Sequence, residues 1–599
     1  MSWEGNKSAE LASCSTLIDL LRYRAEQQAD LTAYIFLKDG ESEEASLTYS
    51  QLDRQARSIA AFLQAETEPG DRVLLLLPQS LFYLAAFFGC LYAGAIPIPV
   101  FPPRTNRSDP RIEGIVKDAK ASLAITTSQT TSGLKDFTGK TPEFLTLKWV
   151  TSEDLAQDRS PKWKPPETKK NSIAYLQYTS GSTLAPRGVM VGHNNVLKNL
   201  DLLCGCRSVT SQSRWVSWLP LYHDMGLLGG ALCSLYAGGM TALMSPVAFL
   251  QKPLRWLQAI SQYKATHTAA PNFAYGLCVK NIPPEERKPL DLRSWETAWN
   301  AAEPIHHETL IRFQEAFGPC GFQWEAFAPG YGLAEATLIV SSQSIGIRPS
   351  FMHVDKSALQ RDLIVEVLPE SEHRTTVVGC GKTVQEVAIV DPVKRIPCSS
   401  DQVGEIWISG ASVALGYWNR KEETEQTFHA SLAESKDHNF LRTGDLGFIK
   451  NGELYITGRL KDLIIIRGSN HYPQDIEWTV EKSHSALKEA GSAAFSVEVE
   501  SAEHLAVVAE VSRDLLRREP DLEEIFTAIR QAISEEHGLQ VFAISLLQAR
   551  SIPKTSSGKI QHAVCRSGFL NHTLSVLASW RLGDELPLKA PLLNAKEAE

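Results

Sequence analysis

Polar residues able to handle phosphate or carboxylate recur along this chain in short blocks, each beside glycine or an apolar run. The first, Thr179-Ser180-Gly181-Ser182-Thr183, lies between SIAYLQY and GVMVGHNNVLKNL. Glycine lets backbone approach an anion, and N–H groups with hydroxyls donate to phosphate oxygens. The same residues also make an ordinary turn. The loop is no Walker A motif, because Gly-Lys-Ser/Thr is missing, and no G-x-S-x-G nucleophile elbow occurs in the chain. Further blocks follow in order. They are His223-Asp224 in WLPLYHDMGLLGG, Ala301-Ala302-Glu303-Pro304 after Asn300, and Tyr331-Gly332 with Glu335 in PGYGLAEATL. Asp445 in LRTGDLGF, Arg459 and Lys461 in GRLKD, and Lys559 in IPKTSSGKI complete the series. Taken singly, each Asp, Glu, Lys or Arg also reads as a cap, a structural ion pair or a solvated side chain, and His223 as a structural histidine.

The elements that must position these blocks alternate between two periods. TLIDLLRYRAEQQA and SQLDRQARSIAAFLQA carry apolar residues at helical spacing, whereas DRVLLLLP, SLAITT and MTALMSP are short apolar runs closed by turn residues. Such alternation over the first 300 or so residues predicts an α/β fold: a large N-terminal domain of mixed or parallel sheets flanked by helices. From Gly404 to Leu463 short strands such as GEIWISG and GELYITG predict a β-rich subdomain. Beyond about Arg459, helical YPQDIEWTVEKS and DLEEIFTAIRQAISEEHG and strand-like GSAAFSVEV and HLAVVAEVS predict a small α+β C-terminal lobe. The domains are therefore expected at 1–460 and 461–599, joined by a short hinge without a Pro- or Ser-rich linker.

Composition excludes several classes. With 69 acidic against 60 basic residues the chain carries a net charge of −9, which offers no field for a nucleic-acid backbone. Ten cysteines without a C-x-x-C pair read as reduced, mostly buried thiols of a cytoplasmic protein. The opening MSWEGNKSAELASC is no signal peptide. LFYLAAFFGCLYAGAIPIPVF approaches bilayer length, but Pro97 and Pro99 break its last third, so a buried helix running into a buried strand is expected rather than a membrane span.

Together, and in this order, the blocks resemble those of the acyl-adenylate-forming superfamily, over nearly the whole chain from about Leu47 to about Arg566. Among its branches the chain is similar to the fatty acyl-AMP ligases in IPIPVFPP (Ile96–Pro103) and in the spacing after Glu335. VGCGK arrives only at Val378, leaving an extra segment from Pro349 to Thr375 where that branch has an insertion held to restrict the lobe motion needed for CoA. Leu184-Ala185 in place of a glycine-rich continuation, Arg187 in place of lysine and Ala334 in place of threonine depart from the superfamily pattern.

The resemblance implies ATP-dependent conversion of a fatty acid to acyl-AMP, with Mg2+, and delivery of the acyl group to the phosphopantetheine thiol of an acyl carrier protein on a separate polypeptide. It assigns Lys559 to the reacting carboxylate and α-phosphate, and the 179–183 loop to the pyrophosphate end of ATP. Glu335 would hold Mg2+, Asp445 the ribose, Arg459 the same ribose or a phosphate, and Tyr331, Gly332 and residues Ala301 to Pro304 the adenine. His223 becomes a gate beside the acyl carboxylate, Asp224 its neighbour, and Lys461 the hinge. Trp218, Phe249 and Phe273 are candidates for the acyl tunnel wall, or plain core. A fatty acyl-CoA ligase and an inactive nucleotide-binding regulatory protein are the competing readings.

Overall fold

Thirteen consecutive residues from Leu81 to Ala93 carry no charge, so the helix they form has no face that water could hold, and every residue but Phe82 is buried. Ser80 caps its start by accepting from the Tyr83 amide, and Gly94, at φ 80°, ends it in the left-handed conformation. The following strand, Ile96–Pro99, is buried along its length. A buried helix running into a buried strand is what Pro97 and Pro99 led the sequence to predict. Among the described residues no helix is long and apolar enough to cross a membrane.

The computed structural model describes residues 11, 13–102, 110–131, 147–179, 186–499, 502–512, 521–555, 558–583 and 588–589. Ile96–Pro99 edges a parallel sheet completed by Arg72–Leu75, Leu123–Thr126 and Lys148–Thr151. A second, nine-stranded sheet runs in the order Lys382–Thr383, Ile339–Ser342, Phe327–Gly332, Thr297–Asn300, His267–Ala270, Arg214–Ser217, Met240–Met244, Thr32–Lys38, Ser42–Thr48. Its six middle strands are mutually parallel and its edges antiparallel. Short apolar strands buried on both faces are what parallel packing under helices requires.

An antiparallel sheet of Glu386–Val390, Gly404–Ser409, Ser435–Lys450, Ala430–Leu432 and Glu453–Arg459 follows. It brings Asp445 opposite Arg459. Past the turn at Leu460 and Lys461 the chain makes a tight hairpin, Ile464–Ile466 with Ser469–His471, whose Arg467 and Gly468 both have positive φ, as a twisted two-residue turn demands. The C-terminal lobe has a five-stranded sheet, helices Pro473–Ser483 and Leu522–His537, and an apolar core of its own that includes Ile476, Val480, Val507, Phe526 and Ile544.

The extra segment forms a strand pair, Phe351–Asp355 with Arg374–Val378, and a short helix, Lys356–Leu359. It is bonded to the C-terminal lobe. The Asn470 amide donates to the Gln360 carbonyl at 2.9 Å, its side chain donates to both Asp362 oxygens at 3.0 and 2.9 Å, and Lys356 donates to the Glu536 carbonyl.

Candidate functional site

Thr179, the first residue of the Ser/Thr/Gly block, ends strand Ile173–Thr179 and faces Arg187 of Arg187–Gly192 in an antiparallel ladder. Ser180, Gly181, Ser182 and Thr183, like Leu184 and Ala185, lie outside the described residues. Arg187 is held in place by Glu423, with Nε 2.9 Å from the carboxylate, and its guanidinium stands 5.5 Å over the Tyr417 ring. The Tyr417 hydroxyl in turn donates to Glu335 Oε1 at 2.9 Å. Burial, and then the Glu335 charge, push this phenol well above its ordinary pKa, so it remains a donor.

Glu335 sits in a one-turn helix, Ala334–Ala336, that interrupts the ladder between Phe327–Gly332 and Ile339–Ser342. The reversal needs glycine at 332, where a Cβ would lie 1.8 Å from the Leu338 carbonyl oxygen. It also puts Thr337 at φ 71°, a strained position for a β-branched residue, anchored by its hydroxyl donating to the Ser412 carbonyl at 2.6 Å. Glu335 is thereby presented on a turn that Tyr417 links to Arg187.

Asp445 and Arg459 meet as cross-strand partners, Nε to Oδ1 at 2.8 Å, and the Tyr331 hydroxyl donates to Asp445 Oδ2 at 2.6 Å. The Asp445 carboxylate is buried, whereas half of the Arg459 side chain remains exposed. Both oxygens thus have a partner and keep further lone pairs for a diol. The Asp445 charge holds the Arg459 guanidinium firmly protonated. Burial first, then the same carboxylate, raise the Tyr331 phenol far above its usual range. Tyr331 is therefore tied by its oxygen to the ribose candidate, with its ring almost fully buried. Lys461 is exposed in the turn just beyond Arg459, where the Leu460 amide donates to the Gly444 carbonyl at 2.9 Å.

His223 and Asp224 share a 2.6 Å contact between Nδ1 and Oδ1. Asp224 also accepts from the Met225 amide at 2.7 Å and opens the π-helix Met225–Leu232, a geometry common at functional sites. Glycine at 226 is required, since a Cβ there would stand 2.1 Å from the Pro220 carbonyl oxygen. Burial pushes the Asp224 carboxyl up, but His223, Lys559 and the Met225 amide outweigh it and leave the group below its ordinary value. Burial raises Glu303 to about 6 although the Phe273 amide donates to it at 2.5 Å and Lys559 and Lys554 oppose the shift. Next to it Ala302 adopts φ 78°, a second strained turn at this face; Ala301 is buried and Pro304 exposed.

Trp218 and Phe249 stack with centroids 4.0 Å apart and planes 11° apart, and Phe273 meets Trp218 edge-on at 6.1 Å. Phe249 is wholly buried, whereas Phe273 is half-buried and hydrogen-bonded through its amide to Glu303. The three rings form one cluster, with Phe273 at its open edge.

Lys559 enters this arrangement from the other lobe. Burial lowers the pKa of its ammonium and Arg459 lowers it further, while Asp224, Glu303 and Asp445 act in the opposite sense. One lysine of the C-terminal lobe thus feels carboxylates from three separate blocks of the N-terminal domain. Sequence reasoning missed Tyr417. Its spacing is unremarkable, and only the fold pairs its segment with the 187–192 strand, through Met190 N to Gly416 O at 2.8 Å and Trp418 N to Gly188 O at 2.7 Å.

Residues 21–418 match the family described as AMP-binding enzyme, and residues 461–579 match the AMP domain described as Disco-interacting protein 2-like. The chain is 48% identical to the medium-chain-fatty-acid–acyl-carrier-protein ligase JamA of Moorena producens, over 94% of this chain and 96% of that one. It is 36% identical to the long-chain-fatty-acid–AMP ligase FadD32 of Mycolicibacterium smegmatis, over 94% and 95%. The crystal structure of a fatty acyl-adenylate ligase from Legionella pneumophila, in complex with acyl adenylate and pyrophosphate, is 42% identical and superposes with a TM-score of 0.75, covering 96% of this chain and all of that one.

Proposed function

The chain belongs to the AMP-binding enzyme family, in its fatty acyl-AMP ligase branch, and from that premise we infer that it activates a fatty acid with ATP and passes the acyl group to a carrier-protein thiol. The observation that carries the site assignment is the half-buried Lys559 side chain, whose ammonium lies within the field of Asp224, Glu303, Asp445 and Arg459. A fatty carboxylate is ionised at neutral pH, so attack on the α-phosphorus needs no general base. It needs two repelling anions aligned and their charge neutralised as pyrophosphate leaves.

The Lys559 ammonium bridges the carboxylate and the α-phosphate. Arg459, held by Asp445, adds a second cation at the ribose side, and the remaining lone pairs of Asp445 accept from the ribose hydroxyls. Tyr331, Gly332 and residues Ala301 to Pro304 border the adenine. Thr179 and the loop after it take the pyrophosphate, flanked by Arg187. His223, oriented by Asp224, gates the acyl carboxylate beside Trp218 and Phe273, with Phe249 backing Trp218.

Mg2+ fits this donor set. Glu335 offers a carboxylate oriented by Tyr417, and a hard cation of this kind takes one or two carboxylates and completes its shell with phosphate and water oxygens. When bound, it would withdraw charge from the phosphates.

Residues 1–460 and 461–599 act as two lobes about Lys461, with transfer to the thiol following rotation there. The ten unlinked cysteines favour a cytoplasmic setting. ATP–pyrophosphate exchange with dodecanoate and Mg2+ tests the reading. Lys559→Ala is expected to lower exchange by about 100-fold or more, the usual loss for a transition-state charge donor. No exchange by the parent chain, or full exchange by the variant, overturns it.

A further inference from the structure

Lys559 stands near the tip of a hairpin too small to hold itself. Lys554 pairs with Ile560, the Thr555 amide donates to the Lys559 carbonyl at 2.7 Å, and the Lys559 amide donates to Thr555 Oγ1 at 3.1 Å. A lone two-stranded ribbon is marginal in water, so its position is set by what grips its ends. On the entering side the Ile552 amide donates to Glu510, which is paired with Lys488 at 2.7 Å. On the leaving side the chain turns into helix His562–Leu570, and the first residue of that helix is held by a charge. His562 Nε2 lies 2.6 Å from Glu477 Oε1, with the Glu477 side chain largely buried. The same carboxylate oxygen accepts from the Ala494 amide at 2.9 Å.

Glu477 belongs to Pro473–Ser483, the first helix beyond the hinge. One turn later Glu481 accepts from the Ala490, Gly491 and Ser492 amides, so the helix is bolted to strand Leu487–Val499. Rotation at the hinge is thus transmitted to this helix, and from it to the lysine hairpin on its leaving side through the His562–Glu477 ion pair, beside the Lys554 bond to the Ala490 carbonyl on its entering side. Burial alone would lower the pKa of His562. The Glu477 carboxylate outweighs burial, Asp462 beside the hinge adds to it and Arg459 opposes it, so the imidazole titrates at about 9 and is charged at neutral pH.

We propose that His562 is a positioning residue for adenylation, its imidazolium tying the Lys559 hairpin to Glu477 so that the lysine reaches the cleft at one fixed depth. This rests on the reading that Lys559 supplies the catalytic cation. Without the tie the hairpin keeps its fold but samples several depths, and a displacement of about 1 Å costs on the order of 100-fold in rate.

The test compares ATP–pyrophosphate exchange by the full chain and its variants across pH. His562→Ala is expected to lower kcat by about 10- to 100-fold with both KM values within about two-fold, and His562→Arg to recover most of the loss. The parent rate should fall through a step near pH 9. His562→Arg, which does not titrate there, should lose that step, and Glu477→Gln should move it to lower pH. Consumption of supplied acyl-adenylate by a holo carrier protein should stay at the parent rate in His562→Arg and Glu477→Gln. An unchanged step in His562→Arg, full kcat in His562→Ala, or equal loss of both half-reactions overturns the proposal. Lys559→Ala run alongside separates the two claims. If it retains exchange the lysine reading fails, whereas if it is dead while His562→Ala is fully active only the tie fails.

Discussion

At the scale of single residues, the metal role proposed for Glu335 depends on a neighbour. Its turn fixes where the side chain starts, and the Tyr417 hydroxyl fixes where one oxygen ends. Outer partners of this kind commonly set metal affinity by about 10- to 100-fold. Tyr417→Phe is therefore expected to raise the Mg2+ concentration for half-maximal exchange by roughly 10-fold while leaving the rate at saturating Mg2+ near the parent value. A Mg2+ titration of exchange measures this, and an unchanged midpoint would remove Tyr417 from the site. Glu335, Asp445 and Lys559 stand out in the chain as candidates because each sits in a glycine-bearing or proline-bearing block whose order resembles a family. Tyr417, Glu477 and His562 could not, because their partners are respectively 82, 85 and 85 residues away and nothing local marks them.

At the scale of elements, local signals were enough wherever one period dominated. The uncharged Leu81–Ala93 run and the turn residues after each short apolar strand foretold buried helix and parallel strands, and both are present. Strand order was not legible, since non-local pairing decides that Met240–Met244 lies beside Thr32–Lys38. The extra segment is the intermediate case: its place was visible from spacing, but its grip on Asn470 and Glu536 comes from the fold. Asn470 lies in the hairpin just after Lys461, so these bonds span the proposed hinge. Deleting residues 349–375 is expected to let CoA-dependent AMP release appear while carrier-protein transfer persists. Product analysis with each thiol checks this, and a deletion variant as inert to CoA as the parent would leave the segment without that role.

At the scale of the whole molecule, the two lobes also meet at a pair of stacked rings. His306 of the N-terminal domain lies face to face with Trp478 of helix Pro473–Ser483, centroids 4.2 Å and planes 7° apart, and Lys482 of the same helix pairs with Glu308. Burial lowers His306 to about 4, with His307 and Lys482 acting in the same sense and Glu308 against them. Released from Trp478, the imidazole would return towards its ordinary value of about 6.5. Between these two values the separated lobes bind more protons than the packed ones, so acidification favours separation and a higher pH favours packing. The packed arrangement is the one that places Lys559 in the field of Asp224, Glu303 and Asp445. Lowering pH from 7 to 5 should therefore shift the population towards rotated lobes, seen as falling energy transfer between one dye on each lobe. His306→Phe keeps the stack but cannot take a proton, so it should flatten that response. Should the variant respond to pH as the parent does, the control must lie in another titrating group at the lobe interface.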